Sequence, residues 1–260
     1  MFRTCRKMFL FVFLMVTLMA APGALLAQEA PKPQLISITV TRVKPEMLQE
    51  WQDLIKNELN PALQKAGVPF RSVYATAVFG DSYEYVSISP ITNFAQYDKP
   101  SPLVTAMGQE GLTRYGHKIR KCVDGSYTYA VRLRPDLSIM TEMTGPPKFA
   151  VISHVRVVPG KNSEFENFLK TDIVANYKKL NLPGYFVEQT IFGGDANSYT
   201  TITVVNSFSD LDKGPLLNQA VGEEGAQKIL QRGGAFITSL ERYFSRFVPE
   251  LSFAAAAPAK

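Results

Sequence analysis

"DKPSPLVTAMGQEG" spans Asp98–Gly111, and "DKGPLLNQAVGEEG" spans Asp212–Gly225, a near-copy 114 positions further on. The spacing holds well outside the phrase. Arg42, Val43 and Pro45 match Arg156, Val157 and Pro159; Glu50 matches Glu164; Phe94 matches Phe208. At the far end Tyr129, Arg132, Pro135, Leu137 and Ser138 match Tyr243, Arg246, Pro249, Leu251 and Ser252. A register kept from Arg42 to Ser138 is that of a duplicated domain, since the period is too long for a solenoid unit.

Each copy reads as β-α-β-β-α-β. The first strand, "LISITVTRV", is rich in β-branched residues, and Pro45 follows where a helix starts without needing its N–H. Met47, Trp51, Leu54, Ile55 and Leu59 then fall on one helical stripe, which Asn60-Pro61 is expected to bend or interrupt before Gly67 ends it. In the second copy the strand is "FAVISHVRVV", and Ser163 with Glu166 has capping-box spacing ahead of Phe165, Phe168, Leu169, Ile173 and Tyr177. Two strands joined by a Gly-Asp turn follow in each copy, "RSVYATAVFGDSYEYVSIS" and "YFVEQTIFGGDANSYTTITVV", the second turn reading as the longer. The opening phrase then begins the second helix. Its small residues Ala106, Gly108 and Gly111 are expected to let that helix pack closely on its sheet, and "SYTYAVRLR" or "SLERYFSRF" closes the copy.

Such a unit forms a four-stranded antiparallel sheet with both helices on one face, so its other face wants cover. Two copies in one chain supply it by pressing their open faces together. The fold class is α+β: repeats at 34–138 and 149–252, a linker at 139–148 closed by Gly145-Pro146-Pro147, and a low-complexity tail at 253–260 expected to be disordered. In this element order, and in the openings "VKPEMLQEW" and "VVPGKNSEFENF", the chain resembles the dimeric α/β-barrel superfamily. That superfamily includes antibiotic-biosynthesis monooxygenases, NIPSNAP-like proteins, stress-responsive barrel proteins and haem-linked chlorite dismutase relatives. The resemblance implies two ferredoxin-like halves that pair as an intramolecular dimeric α/β barrel, a pseudo-dimer within one chain.

Residues 1–27 read as an export signal: Arg3, Arg6 and Lys7 precede the apolar run "MFLFVFLMVTLMAA", and "APGALLA" follows. Cleavage near Ala27 would leave a periplasmic or secreted protein with no membrane attachment. It would also leave 25 basic against 23 acidic residues, too even a balance for a nucleic-acid partner. Cys122 would then stand alone, so no intrachain disulfide forms, and it reads as a small half-buried apolar residue.

The sequence carries no Gly-rich phosphate loop, no nucleophile elbow and no paired His or Cys at metal-ligand spacing, so no metal site is expected. His154 shares a strand face with Ile152 and Arg156, and its counterpart is Val40. That asymmetry fits either divergence toward one site or a hydrogen-bonded structural histidine. His117 is the helix-borne candidate for a haem ligand that the resemblance raises, but its cationic neighbours Arg114 and Lys118 read as a solvated face, and no cofactor is expected. Arg42 and Arg156 recur symmetrically, as ion-pair partners of acids across the barrel or as anchors for an anionic ligand. Tyr74, Tyr83, Tyr85, Tyr127, Phe186 and Phe192 are candidates to line an apolar cleft between sheet and helices, or simply core.

Three functional readings follow. The first is an exported barrel holding a small apolar molecule in a sheet–helix cleft, with Arg42, Arg156, Tyr74, Tyr85 and Phe186 as binding residues. The second is a cofactor-independent monooxygenase or isomerase with His154 as base and Tyr or Arg side chains steadying an enolate. The third is a structural assembly module.

Overall fold

In the computed structural model the described residues are 34–141, 143 and 145–254; residues 1–27, read above as an export signal, and the tail beyond Ala254 lie outside them. The β-branched runs become β1 (Leu35–Val43), β2 (Phe70–Thr76), β3 (Glu84–Ile91) and β4 (Val123–Leu133) in the first copy. In the second they become β5 (Phe149–Val157), β6 (Tyr185–Phe192), β7 (Ser198–Val205) and β8 (Ile237–Phe247). Helices α1 (residues 48–65) and α2 (Pro102–Cys122) serve the first copy; α3 (residues 162–177) and α4 (Leu216–Gly233) serve the second.

Within each copy the sheet is antiparallel, in the order β4-β1-β3-β2 and β8-β5-β7-β6. The copies join edge to edge through β4–β6 and β2–β8, closing eight strands into one barrel. Each bare face is thereby covered by the other around a shared interior, and the edges that a lone sheet exposes are paired.

Residues directly opposite on neighbouring strands share a face. Outward, Val43, Val73, Ala75 and Tyr85 pack on Trp51, Leu54, Ile55, Tyr115 and the buried Cys122. The second helix–sheet core sets Val155, Val157, Val187 and Tyr199 against Phe165, Phe168, Leu169, Ile229 and Leu217. Inward, Ile36, Ile38, Val40, Val86, Tyr129 and Val131 form a separate cluster.

The recurrence of Pro-x-Leu-Ser at the end of each copy now has a cause. Leu137 belongs to the second copy's core, and Leu251 to the first's. Ser138 Oγ accepts from Val187 N at 2.9 Å, and Ser252 Oγ accepts from Val73 N at 2.8 Å. Each copy therefore ends by plugging the other. The clamps differ: Arg134 reaches Glu166 (3.0 Å to Oε2), which also accepts from Tyr199 (2.7 Å), whereas Leu251 O accepts from Asn60 and from the buried Arg71, both at 3.0 Å. Burial lowers Arg71 to about 10.

The repeated phrase marks a break in the helix. Gly108 (φ 72°, ψ 169°) and Gly222 (φ 74°, ψ 170°) occupy the same left-handed conformation at matching positions, one that L side chains rarely adopt. A Cβ at either would meet nothing within 4 Å, so close packing is not what requires glycine there. Pro61 does not interrupt α1, because the chain widens into a π-helical segment at Ile55–Leu59 and resumes as Asn60–Lys65. The second copy widens likewise at Leu169–Val174 without a proline.

Four other expectations are corrected. Ser163 and Glu166 make no capping box, since Glu166 is drawn to Arg134. Phe253–Ala254 is an ordered strand, β9, paired with Phe70 and Arg71. The segment from 139 starts docked, with Ile139 bridged to Tyr185. In repeat register Asp81 matches Asp195 and Tyr85 matches Tyr199, so the second hairpin turn is no longer than the first.

Candidate functional site in the barrel interior

The inward positions of the second copy differ in kind from those of the first. The register places Glu241, His154, Thr200 and Glu188 side by side on β8, β5, β7 and β6. Their counterparts on β4, β1, β3 and β2 are Tyr127, Val40, Val86 and Tyr74. One row thus carries two carboxyls, an imidazole and a hydroxyl where its twin carries two tyrosines and two valines.

His154 is half-buried, with Nδ1 3.1 Å from Thr200 Oγ1 and its ring 5.6 Å from that of Tyr243. Burial pushes its pKa down, and nearby Glu241 opposes this in part. Tyr243 donates to Glu241 Oε2 at 2.6 Å. Glu188 is 4% exposed, and its Oε2 has no hydrogen-bond partner among the described residues. Burial alone pushes its pKa up to about 7, because desolvation disfavours the charged carboxylate.

The other sequence-derived residues do not converge. Arg42 and Arg156 stand at the same end of the barrel, and each pairs with the hairpin acid of its own copy, Asp81 or Asp195, rather than with an acid across the barrel. Tyr74 and Phe186 face inward, Tyr74 lying 5.5 Å from the Phe247 ring. Tyr85 faces outward, 4.5 Å from Trp51 in the first core, while Tyr83 and Phe192 are exposed on the hairpins. Strand alternation splits this set between two faces, so it lines no single sheet–helix cleft. An open groove of about 540 Å³ between α3 and α4, lined by Phe168, Asp172, Arg232 and Phe236, contains none of these residues.

His117 fits a haem ligand poorly, since it is exposed on α2 among the exposed cations Arg114 and Lys118. The described residues hold no cluster of three metal-binding side chains, and no described helix is long and apolar enough to cross a membrane.

No protein-family model and no curated protein matches the chain. Solved structures do. An anthrone oxidase-like protein aligns with TM-score 0.59 at 12% identity, over 87% of this chain and 95% of that one. The chain has the dimeric α/β-barrel fold. A putative monooxygenase from Fusobacterium nucleatum gives TM-score 0.58 at 9% identity, covering 84% and 94% of the two chains. A chlorite dismutase variant from Candidatus Nitrospira defluvii gives 0.53 at 9%, covering 83% and 92%. Identities this low speak for the fold alone. In this barrel the two pairing halves lie on one polypeptide.

Glu188, Thr200 and Glu241 were missed by reading the sequence for motifs. A signal existed: at the 114-residue offset they replace Tyr74, Val86 and Tyr127, on the same strand face as the His154-for-Val40 exchange.

Proposed function

We propose that the chain is an enzyme of the monooxygenase-like kind that removes a proton from a small, largely apolar carbon acid, with His154 as the base. The supporting observation is that His154 faces the barrel interior, fixed through Nδ1 by Thr200 and held uncharged near neutral pH by burial. In the tautomer with the proton on Nδ1, Nε2 has a free lone pair. Catalytic bases work best with a pKa near the working pH. The apolar half of the same interior, Ile38, Val40 and Val131, suits the body of the ligand. Of the expected Tyr or Arg partners for an enolate, Tyr243 is bonded to Glu241 and both arginines to aspartates. The order of charges and apolar residues in 1–27 supports action outside the cytoplasm.

Anthrone, named for one structural neighbour, is a suitable probe. Deprotonation gives a carbanion that reacts with O2; one oxygen atom enters the product anthraquinone and the other leaves as water. Oxygen uptake above the protein-free control, lowered about 100-fold or more in H154Q, is the expected result. Wild-type uptake equal to the control contradicts the reading. Saturable binding of anthrone without uptake would instead favour a pure binding protein.

A further inference from the structure

His154 as base leaves one inward-facing ionisable group of the row without work. Glu188 is buried on β6, two strands from His154, with Thr200 between them. With the proton on Nδ1, Thr200 Oγ1 accepts from the imidazole Nδ1–H, and Glu188 Oε2 meets no partner. Leaving a buried polar group unpaired destabilises the fold, and the counterpart, Tyr74, shows that the scaffold does not require a carboxyl there. The groups that face Glu188 are Tyr129 and Leu133 from β4, Thr200 from β7, His154 from β5 and, further round, Glu241 and Tyr243 from β8. None of them is a fixed cation. Below about pH 7 the carboxyl is therefore mostly neutral and presents an O–H donor to the interior.

We propose that Glu188 is a catalytic acid of this site, its carboxyl O–H binding the carbonyl oxygen of a small enolisable ketone while His154 takes the proton from the α-carbon. The proposal rests on the reading of His154 as base. Placement supports it: the two residues stand on the same strand face, two strand spacings or about 10 Å apart at the backbone, and a ketone presents its carbonyl oxygen and α-carbon to that face roughly 2.4 Å apart. An eight-stranded barrel has room for one small ligand at most, which sets the substrate class. In the step the α C–H bond breaks and its electron pair becomes the enol double bond. The proton goes to His154 Nε2 while the carboxyl proton passes to the oxygen, and no oxidant is consumed.

The test uses the full chain and acetophenone labelled with ¹³C at the carbonyl. On wild type below pH 7 the infrared carbonyl band of the bound ketone should move to lower frequency, and the shift should fade as pH rises through about 7. E188L should abolish the shift and weaken binding at least about tenfold. E188Q, whose amide still donates, should keep affinity and lose the pH dependence. H154Q should keep the shifted band while deuterium uptake from ²H₂O into the methyl group stops. An unshifted band on wild type, absence of saturable binding, or E188L binding like wild type overturns the proposal. Deuterium uptake that persists in H154Q overturns the base reading and leaves the Glu188 contact standing.

Discussion

The two halves of the barrel share a scaffold and differ in what they point inward. Tyr74, Val86, Val40 and Tyr127 give one row apolar and aromatic groups, while Glu188, Thr200, His154 and Glu241 stand in the same row of the other, Glu188 and Thr200 buried at a cost, His154 half-buried and Glu241 exposed. The cores behind the two rows are alike in size and pattern. Duplication therefore let one half keep the packing while the other took on ionisable groups. The tails make the same point: Leu137 and Leu251 are equivalent plugs, held by Arg134–Glu166–Tyr199 on one side and by Arg71–Asn60 on the other.

The equivalence of the plugs is the easiest part to break. Leu137→Ala and Leu251→Ala should each cost about 2–5 kcal/mol in denaturant unfolding, because both side chains are fully enclosed and leave a cavity. A large loss for one and none for the other would mean that the exchange is not reciprocal. The clamps come next. Arg71→Met and Arg134→Met should each cost about 1–3 kcal/mol, the first by loosening Leu251 and Asn60, the second by leaving Glu166 with Tyr199 alone. Hydrogen exchange should localise the first loss to β2 and the second to α3.

The pH dependence of stability sharpens the contrast between the rows. Folded Glu188 holds its proton up to about pH 7, whereas the unfolded chain releases it near 4.5. Its contribution is full below the lower value and lost as pH climbs through the upper one. Folded His154 refuses a proton that the unfolded chain accepts near 6.5, so its contribution is present above 6.5 and lost as pH falls through the depressed value. The two oppose each other between the depressed His154 value and about pH 6.5. E188Q should therefore gain stability with rising pH and H154Q should lose it, with slopes differing by about 1 kcal/mol per pH unit; parallel slopes would contradict the burial of one or both groups. Smallest of all, Arg42→Ala and Arg156→Ala should each change stability by no more than about 0.5 kcal/mol, since both ion pairs are solvent-exposed.

Much of the scaffold was legible in the sequence, because a constant offset tied Arg42 to Arg156 and Ser138 to Ser252 and so gave both copies one element order. What escaped was long-range. The pairings β4–β6 and β2–β8 that close the barrel have no local signature, and Glu166 left its capping spacing for an arginine supplied by the other copy. The aromatic cleft failed for a nearer reason: Tyr85 lies opposite Ala75 on the outward face, whereas Tyr74 points inward. His154 was legible as a lone asymmetry. Glu188 was legible only as the exchange of Tyr74 at the 114-residue offset, because a single glutamate on a strand resembles any exposed acid until the barrel is closed around it.

Carbon-13 NMR of the Glu188 carboxyl and the His154 imidazole in one sample titrated from about pH 4 to 8 reads the acid–base assignment without any ligand. A carboxyl that titrates well above 4.5 beside a ring that titrates below 6.5 is the outcome this structure calls for. Carboxylate facing imidazolium, the same two groups with the proton moved across Thr200, would contradict it.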